Sequence, residues 1–594
     1  GIKMIESLNL NPDIYHCNEG HAAFIALERM VKFIQNEKLS FDEATEVVRA
    51  STLFTTHTPV PAGHDTFSED LMRIYLPHFA EQMGISWEQF MNLGKFTEND
   101  PDEKFSMSIL AFKFSQEVNG VSKIHGRVSQ EMFNKLYPGY FPDEIHVGYV
   151  TNGVHYPTWT SKSWQQLYRK EFGEEFIDDQ SNADYWQKIF NVPDETIWKM
   201  RLKQKQQLID YLRSRLTDDM TRRNDNPKLI FKLMDAFNPN ALTIGFARRF
   251  ATYKRAHLLF TNLERLSVLV NNSKMPVQFV FAGKAHPNDK AGQDLIKRII
   301  EISKMPEFIG KITFVENYDI ELAKYLIRGV DIWLNTPTRP LEASGTSGEK
   351  AVMNGVVNFS VLDGWWAEGY KPEAGWALKE EQTYESQEFQ NELDAETIYT
   401  TFEDEIIPAY YDKDASGVPV KWISYVKNTI AKIAPEFTMK RQLDDYYSKF
   451  YNKMFVRSTL ITDENFMLAR NIAAWKRKVL RSWDSIEILE VNLPDSTQKP
   501  LSLGENFKAE IIVHLNELSG IELGIEVLFG QKVNDEVKKP ISVIEMLANK
   551  KENGIIVFKC DIPANTAGVF DYAFRMYPKN KDLPHRQDFN LVRW

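Results

Sequence analysis

The sequence predicts an α/β protein centred on a doubly wound parallel sheet, with a β-rich region at its C-terminal end. Three observations lead there. Between residues 225 and 365, short apolar runs alternate with helical segments, the pattern that builds a parallel sheet covered on both faces. From Ile486 onward, helical spacing gives way to closely spaced strands. Hydrophobic residues make up 43% of the 594, ample for large cores, and the length suggests roughly three or four domains.

Taken in order, the first 150 residues mix helices, EGHAAFIALERMVKFIQ and EKFSMSILAFKFSQE, with isolated strands in STLFTTHT and IHVGYVT. Gly1 opens a stretch that reads as the middle of an element, so this first α/β domain is expected to be incomplete. DETIWKMRLKQKQQLIDYLRSRL (194–216) is an amphipathic helix with Trp198, Leu202, Ile209, Leu212 and Leu216 on one side. The polar run DDMTRRNDNP after it reads as a loop. ALTIGFA (241–247), PVQFVFAG (276–283), KITFV (311–315), VDIWLN (330–335) and VVNFSV (356–361) read as buried strands, separated by helical spacing.

FMLARNIAAWKRKVLRSW (466–483) is helical, and FKAEIIVHL, LGIEVLF, GIIVFKCDI and VFDYAFRMY then suggest antiparallel strands. Their aromatics, Phe529, Phe558, Phe570, Tyr572 and Phe574, sit at strand-core spacing, which favours a structural sandwich over a carbohydrate-binding module. The expected division is 1–160, 161–484 and 485–594.

A net charge of −11 argues against nucleic acid or an anionic membrane as the main partner. No apolar run reaches transmembrane length. The two cysteines, Cys17 and Cys560, lie too far apart to suggest a disulfide framework and read as a reduced, cytoplasmic chain.

The stretch RPLEASGTSGEKAVMNG (339–355) places Lys350 just inside a helix N-terminus, where free N–H groups favour anions. Ser344-Gly345-Thr346-Ser347-Gly348 can turn its backbone N–H groups toward an anion. It lacks the spacer and the Lys-Ser/Thr pair of a nucleotide-binding loop. Lys350 is then either a Schiff-base lysine beside a phosphate cradle or a surface lysine in a Gly-rich loop. ARRFATYKRA (247–256) puts Arg248, Arg249 and Lys254 at a strand's carboxyl end, where ligands of such sheets bind and where cations hold phosphates.

With both elements in hand, the sequence resembles the α-glucan phosphorylases (glycogen, starch and maltodextrin phosphorylases), most of all the bacterial short type. EASGTSGEK is similar to the family's cofactor signature and RRFATYKR to its phosphate-binding run. HCNEGHAAFIALERM, TTHTPVPAGHDTF, NGVSKIHGRVS, VTNGVHYPTW, FAGKAHP and ENYDIELA match further family segments in the same order over most of residues 1–370. The resemblance implies a two-domain glycosyltransferase-B-like architecture and pyridoxal 5'-phosphate on Lys350. The cofactor would be held by Arg248, Thr346 and Ser347, with Tyr318 and Trp159 about its ring.

Arg249 and Lys254 would hold substrate phosphate. Together with His57, whose backbone carbonyl is expected to face the anomeric carbon, they form the implied catalytic set. Glu342, Ser344, Gly345, Asn152, His21 and Tyr253 are implied around the substrate, with Glu19 as a further pocket-wall residue. The implied reaction is phosphorolysis of α-1,4-glucan by inorganic phosphate, giving α-glucose 1-phosphate with retained configuration. A homodimer is one assembly the family implies.

Family members carry a long segment before the point matching Gly1, including a glycine-rich phosphate loop, so this chain alone is expected to be inactive or nearly so. Glu349 stands where many members carry methionine; it could keep an imine protonated, but solvent exposure is favoured. HCNEGH fits no metal-ligand spacing, so no metal is expected. Trp365-Trp366 reads as core packing at least as readily as a sugar platform. Two rivals remain. A retaining sugar-nucleotide-dependent glucosyltransferase often has a second glutamate eight residues after the first; here that position is Lys350. A non-catalytic glucan-binding protein is the other.

Overall fold

The computed structural model describes residues 1–378, 384, 386–494, 501–531 and 540–594. Two parallel sheets and a C-terminal β-sandwich organise the chain. The first sheet has the order β1 (Tyr15–Asn18), β2 (Thr52–Thr55), β5 (Glu117–Gly120), β6 (Val147–Tyr149), all parallel. A small antiparallel pair, β3 (Thr66–Phe67) and β4 (Phe105–Ser106), lies beside it. STLFTTHT and IHVGYVT hold β2 and β6 as the pattern predicts. β1 and β5 escape it because HCN and EVNG are polar for strands: in β1 only Cys17 is buried, whereas β5 buries Glu117 and Asn119 among neighbours distant in sequence.

The second sheet runs β12 (Gly375–Leu378), β11 (Val357–Val361), β10 (Ile332–Asn335), β7 (Leu242–Ala247), β8 (Val277–Ala282), β9 (Ile312–Val315), again all parallel. The five strands read from the apolar runs are all present. β7 and β8 are buried along their whole length, as expected where helices cover both faces. Trp333 on β10 is fully buried, a burial that contributes about 2–3 kcal/mol.

Two helix boundaries differ from expectation. The helix predicted to stop near residue 216 runs on as Asp194–Arg222, so half of DDMTRRNDNP is helical rather than loop. Its polar composition misled the reading: Met220 and Asp219 still face inward, and Asp219 pairs with Arg222 one turn on at 2.8 Å. The last long helix spans Asn452–Ser482, with a backbone break at Asp463–Phe466.

That helix returns to the first sheet's core. Ile461, Ala469 and Ile472 pack there beside Phe54 and Val118, and Lys476 pairs with Glu46 at 2.6 Å. Residues 452–482 therefore stabilise the first lobe although they follow the second in sequence.

The C-terminal region is a sandwich of two antiparallel sheets: β13 (Glu487–Asn492), β14 (Asn506–His514), β18 (Ile555–Pro563), β17 (Leu547–Glu552) against β16 (Pro540–Glu545), β15 (Glu522–Gln531), β19 (Phe570–Lys579). Phe558 is in its core and Phe529, Tyr572 and Phe574 pack against it, while Phe570 lies outside. Arg575, fully buried, joins Glu526 of the sandwich (2.6 Å) to Glu144 of the first lobe (2.8 Å). Among the described residues no helix is long and apolar enough to cross a membrane.

Candidate active site

Both parallel sheets present polar residues at the carboxyl ends of their strands. On the second, β7 runs directly into Arg248, buried, whose Nη2 donates to Glu342 Oε2 at 2.7 Å. Its Nε and Nη1 are buried without a partner, an arrangement that is costly unless something anionic completes it. Lys254 closes a 3₁₀ turn, and its Nζ donates to both oxygens of Glu342, at 3.0 and 2.8 Å. Burial pulls the Lys254 ammonium down to about 8, with Arg248 adding to that and Glu342 opposing it. Glu342 is held below the usual carboxylate range because Arg248 and Lys254 outweigh its burial.

Arg249 is exposed beside Tyr253. The fourth cation of the run, Arg255, belongs elsewhere. It takes up a left-handed φ of 46° and donates to the carbonyls of Thr336 and Pro337 at 2.9 and 2.8 Å, which anchors the turn.

Glu342 is placed by a loop that two glycines make possible. Its N–H donates to Asp363 Oδ2 at 2.9 Å, and Gly364 N–H donates to Asp363 Oδ1 at 2.8 Å. Gly364 approaches so closely that a Cβ there would lie 2.3 Å from the Ser344 carbonyl oxygen. Gly345, at φ 86°, begins the helix Thr346–Val352 in a conformation that favours glycine. Burial raises Asp363 to about 7 against its two backbone N–H partners. The sequence reading passed over Asp363; an Asp-Gly pair closing an apolar strand was the signal available.

The helix Thr346–Val352 has no side-chain cap, which leaves its first N–H groups free. Trp333 Nε1 donates to Ser347 Oγ at 3.0 Å. The Ser344 hydroxyl is buried without a partner. Lys350, half-buried, lies with its ammonium 4.1 Å from the Trp159 ring, and burial lowers its pKa against the pull of Glu349. Tyr318 and Trp159 pack on one cluster with Trp333 and Ala351. Burial pushes the Tyr318 phenol up to about 12, against the opposing pull of Arg248.

Glu349 corrects an expectation. Far from facing solvent, it is fully buried, with neither oxygen partnered. Burial holds it well above the usual carboxylate range. One residue before a half-buried lysine, the helix turns it onto the packed side. Trp365 and Trp366 are buried too and pack on each other, Trp365 also against Phe437, which makes them core residues.

On the first sheet, His57 follows β2 and His21 follows β1. The His57 N–H donates to Glu19 Oε2 at 2.8 Å, and its Nε2 meets Asn18 Oδ1 at 2.6 Å. Burial, with His21 nearby, lowers His57 to about 4. Burial likewise lowers His16 and His125 to about 4, each with His57 as a further cause. Glu19 adopts φ 68°, a left-handed conformation uncommon for its type. Asn152 Oδ1 accepts from Gln442 Nε2 at 3.0 Å, a partner from a helix 290 residues on.

Thus Arg248, Lys254 and Glu342 are in direct contact, with Ser344 to Lys350 on the adjoining loop and helix. His21 and His57 lie together on the other lobe, where Asn152 follows β6. Among the described residues no hydrogen bond or ion pair joins these two sets. The lobes meet instead where Thr151 Oγ1 and Lys123 N–H donate to Glu368 at 2.9 Å.

The model of the carbohydrate phosphorylase family matches residues 5–369, which include every one of these candidate residues. The chain belongs to the carbohydrate phosphorylase family. A second model, the glycogen phosphorylase C-terminal domain, matches residues 483–594, the sandwich. The phosphorylase relatives include the maltodextrin phosphorylase of Thermococcus litoralis, 39% identical over all of this chain and 69% of that protein. The glycogen phosphorylase of Mycobacterium tuberculosis is 34% identical over 98% of this chain and 67% of its own length. That of Aquifex aeolicus is 42% identical over 76% and 64%. The chain thus spans about two thirds of these phosphorylases.

Proposed function

We propose that the site performs phosphorolysis of α-1,4-glucan, releasing α-glucose 1-phosphate with retained configuration, and that Lys350 carries pyridoxal 5'-phosphate. One observation carries the reading. A buried cationic cluster, with two guanidinium nitrogens of Arg248 unpartnered, adjoins the uncapped helix that bears Lys350. The names of the relatives, maltodextrin and glycogen phosphorylase, support the same substrate class.

The residues present fit the cofactor. Lys350 offers an amine of lowered pKa to an aldehyde, Trp159 a ring face beside it, and Arg248 with Thr346 and Ser347 the donors for a phosphate. When bound, the cofactor supplies a phosphate group that buffers a proton. Among the chain's own groups, two cations, Arg248 and Lys254, pair with one carboxylate, Glu342, and Arg249 stands exposed beside them, so positive charge is in excess for the phosphates gathered there.

Glu342, kept ionised by its ion pairs, serves as an acceptor for sugar hydroxyls. Ser344 adds its unpartnered hydroxyl. His57, neutral at physiological pH, presents no charge to a neutral sugar. A retaining hydrolase needs two carboxylates flanking the bond; here inorganic phosphate attacks and its own proton assists the leaving oxygen.

The test is trapping: incubation with pyridoxal phosphate, borohydride reduction and peptide mapping. A reduced adduct on Lys350, absent from Lys350→Ala, is expected. An adduct confined to other lysines overturns the assignment. Proton NMR of any phosphorylated product formed from maltoheptaose and phosphate checks the stereochemistry, and a β anomer overturns retention.

A further inference from the structure

At the free edge of the second sheet, strand β12 borders a cavity of 330 Å³ to which none of the residues above contributes, a volume within the range of small-ligand sites. One wall is the half-buried Tyr425 ring. It stacks on the buried Trp376, centroids 4.3 Å apart and planes inclined by 16°, and Trp376 stacks in turn with Trp422. Facing it are the carboxylates of Glu373 and Glu405 and the hydroxyls of Thr397 and Thr401.

Each polar group is set up as an acceptor. Glu405 takes the Trp376 indole N–H on Oε2 at 2.9 Å, which orients the carboxylate and leaves its other oxygen for a ligand. The two threonine O–H groups are already donated to the carbonyls of Leu393 and Thr397, at 2.8 and 2.7 Å. Burial raises the Tyr425 phenol, and Glu405 and Glu373 raise it further, so the carboxylates converge on this ring.

The backbone around the cavity departs from regular geometry at two independent points. Glu405 lies in a π-helical turn, Phe402–Ile406, between two α-helical segments. Glu373 holds φ at 62°. Such features gather at functional sites because they re-aim side chains at a cost that plain packing does not justify.

We propose that this cavity is a second saccharide-binding site, taking a pyranose ring of an α-glucan away from the catalytic cleft. The outer face of Tyr425, backed by Trp376, matches the C–H face of a pyranose, and a rim of acceptors matches its hydroxyl donors. A cation is the other donor such a rim could take. It is held best by rings enclosing a point, whereas Trp376 and Tyr425 lie parallel. The saccharide assignment rests on the glucan reading proposed above.

The test is retardation of the whole chain in native gels containing glycogen, with unaltered protein, Tyr425→Ala and Glu405→Gln side by side. The apparent dissociation constant for glycogen is expected to rise about tenfold in Tyr425→Ala and about threefold in Glu405→Gln, the exposed carboxylate. The thermal melt should stay unchanged in Glu405→Gln and fall by a few degrees in Tyr425→Ala, whose ring packs on Trp376. Equal retardation of all three proteins overturns the second site and leaves the cleft reading intact.

No retardation of the unaltered protein overturns the site as well, and trapping on Lys350, which involves no glucan, then judges the catalytic reading separately. Tryptophan emission quenched by tetramethylammonium in the unaltered protein, but not in Tyr425→Ala, overturns the saccharide assignment in favour of a cation.

Discussion

The carboxyl ends of the two parallel sheets are furnished in opposite ways. The first carries imidazoles that burial keeps neutral, His16, His57 and His125. His16 is hydrogen-bonded to Thr55, His57 to Glu19 and Asn18, and His125 accepts from the Val121 N–H. The second carries cations, Arg248, Arg249 and Lys254, with one ionised carboxylate among them. A neutral polyol asks for hydrogen-bond partners without charge, and a phosphate asks for charge. On the function proposed above, the difference teaches that one cleft can divide substrate recognition between lobes, each keeping the dielectric and charge its own ligand requires.

The largest expected effect breaks the cationic side. Arg249→Ala removes an exposed cation with little structural role, and phosphate affinity measured by calorimetry should fall about ten- to a hundredfold. Affinity for maltoheptaose should stay unchanged. A parallel loss for both ligands would end the division of labour between lobes.

The reciprocal experiment is smaller. Glu19→Ala removes the acceptor that holds the His57 N–H, and affinity for maltoheptaose should fall about tenfold with phosphate binding intact. Glu19→Gln, which keeps an acceptor oxygen, should recover most of it.

A stability change sharpens the contrast further. Glu349 is a buried carboxyl with no partner on the charged lobe, and such a group costs about 1–3 kcal/mol. Glu349→Met should raise the denaturant midpoint correspondingly, read by chemical unfolding. An unchanged or lower midpoint would mean that Glu349 has a partner after all.

The smallest effect is a difference in pH response. His16, His57 and His125 have folded values near 4, below their ordinary 6.5. Between those limits the unfolded chain binds more protons than the folded one. Their contribution is therefore full above pH 6.5 and is lost as pH falls toward 4. Asp363, raised from 3.8 to about 7, has the opposite sign: its contribution is full below pH 3.8 and is lost as pH rises toward 7. Glu349 shares that direction, while Glu342, held low, acts with the imidazoles. Hydrogen exchange followed from pH 6.5 to 4 should show the first lobe loosening more than the second. Asp363→Asn should leave the first lobe's profile unaltered.

Composition and spacing by themselves determined the five apolar strands of the second sheet, the antiparallel tail and the cationic run with its Gly-rich partner. They could do so because strands buried on both faces must be continuously apolar, and because close backbone approach or positive φ at Gly345 and Gly364 leaves glycine in the sequence. The resemblance carried by EASGTSGEK and RRFATYKR reached the family before any coordinate did. Only the tertiary structure decided that Glu349 is buried, that Arg255 anchors a turn while Arg248 and Lys254 grip Glu342, and that the long helix Asn452–Ser482 stabilises the first lobe. Each of these depends on partners tens to hundreds of residues away. A side chain's burial and ionisation follow from what packs against it in space, and no local pattern of residues encodes that.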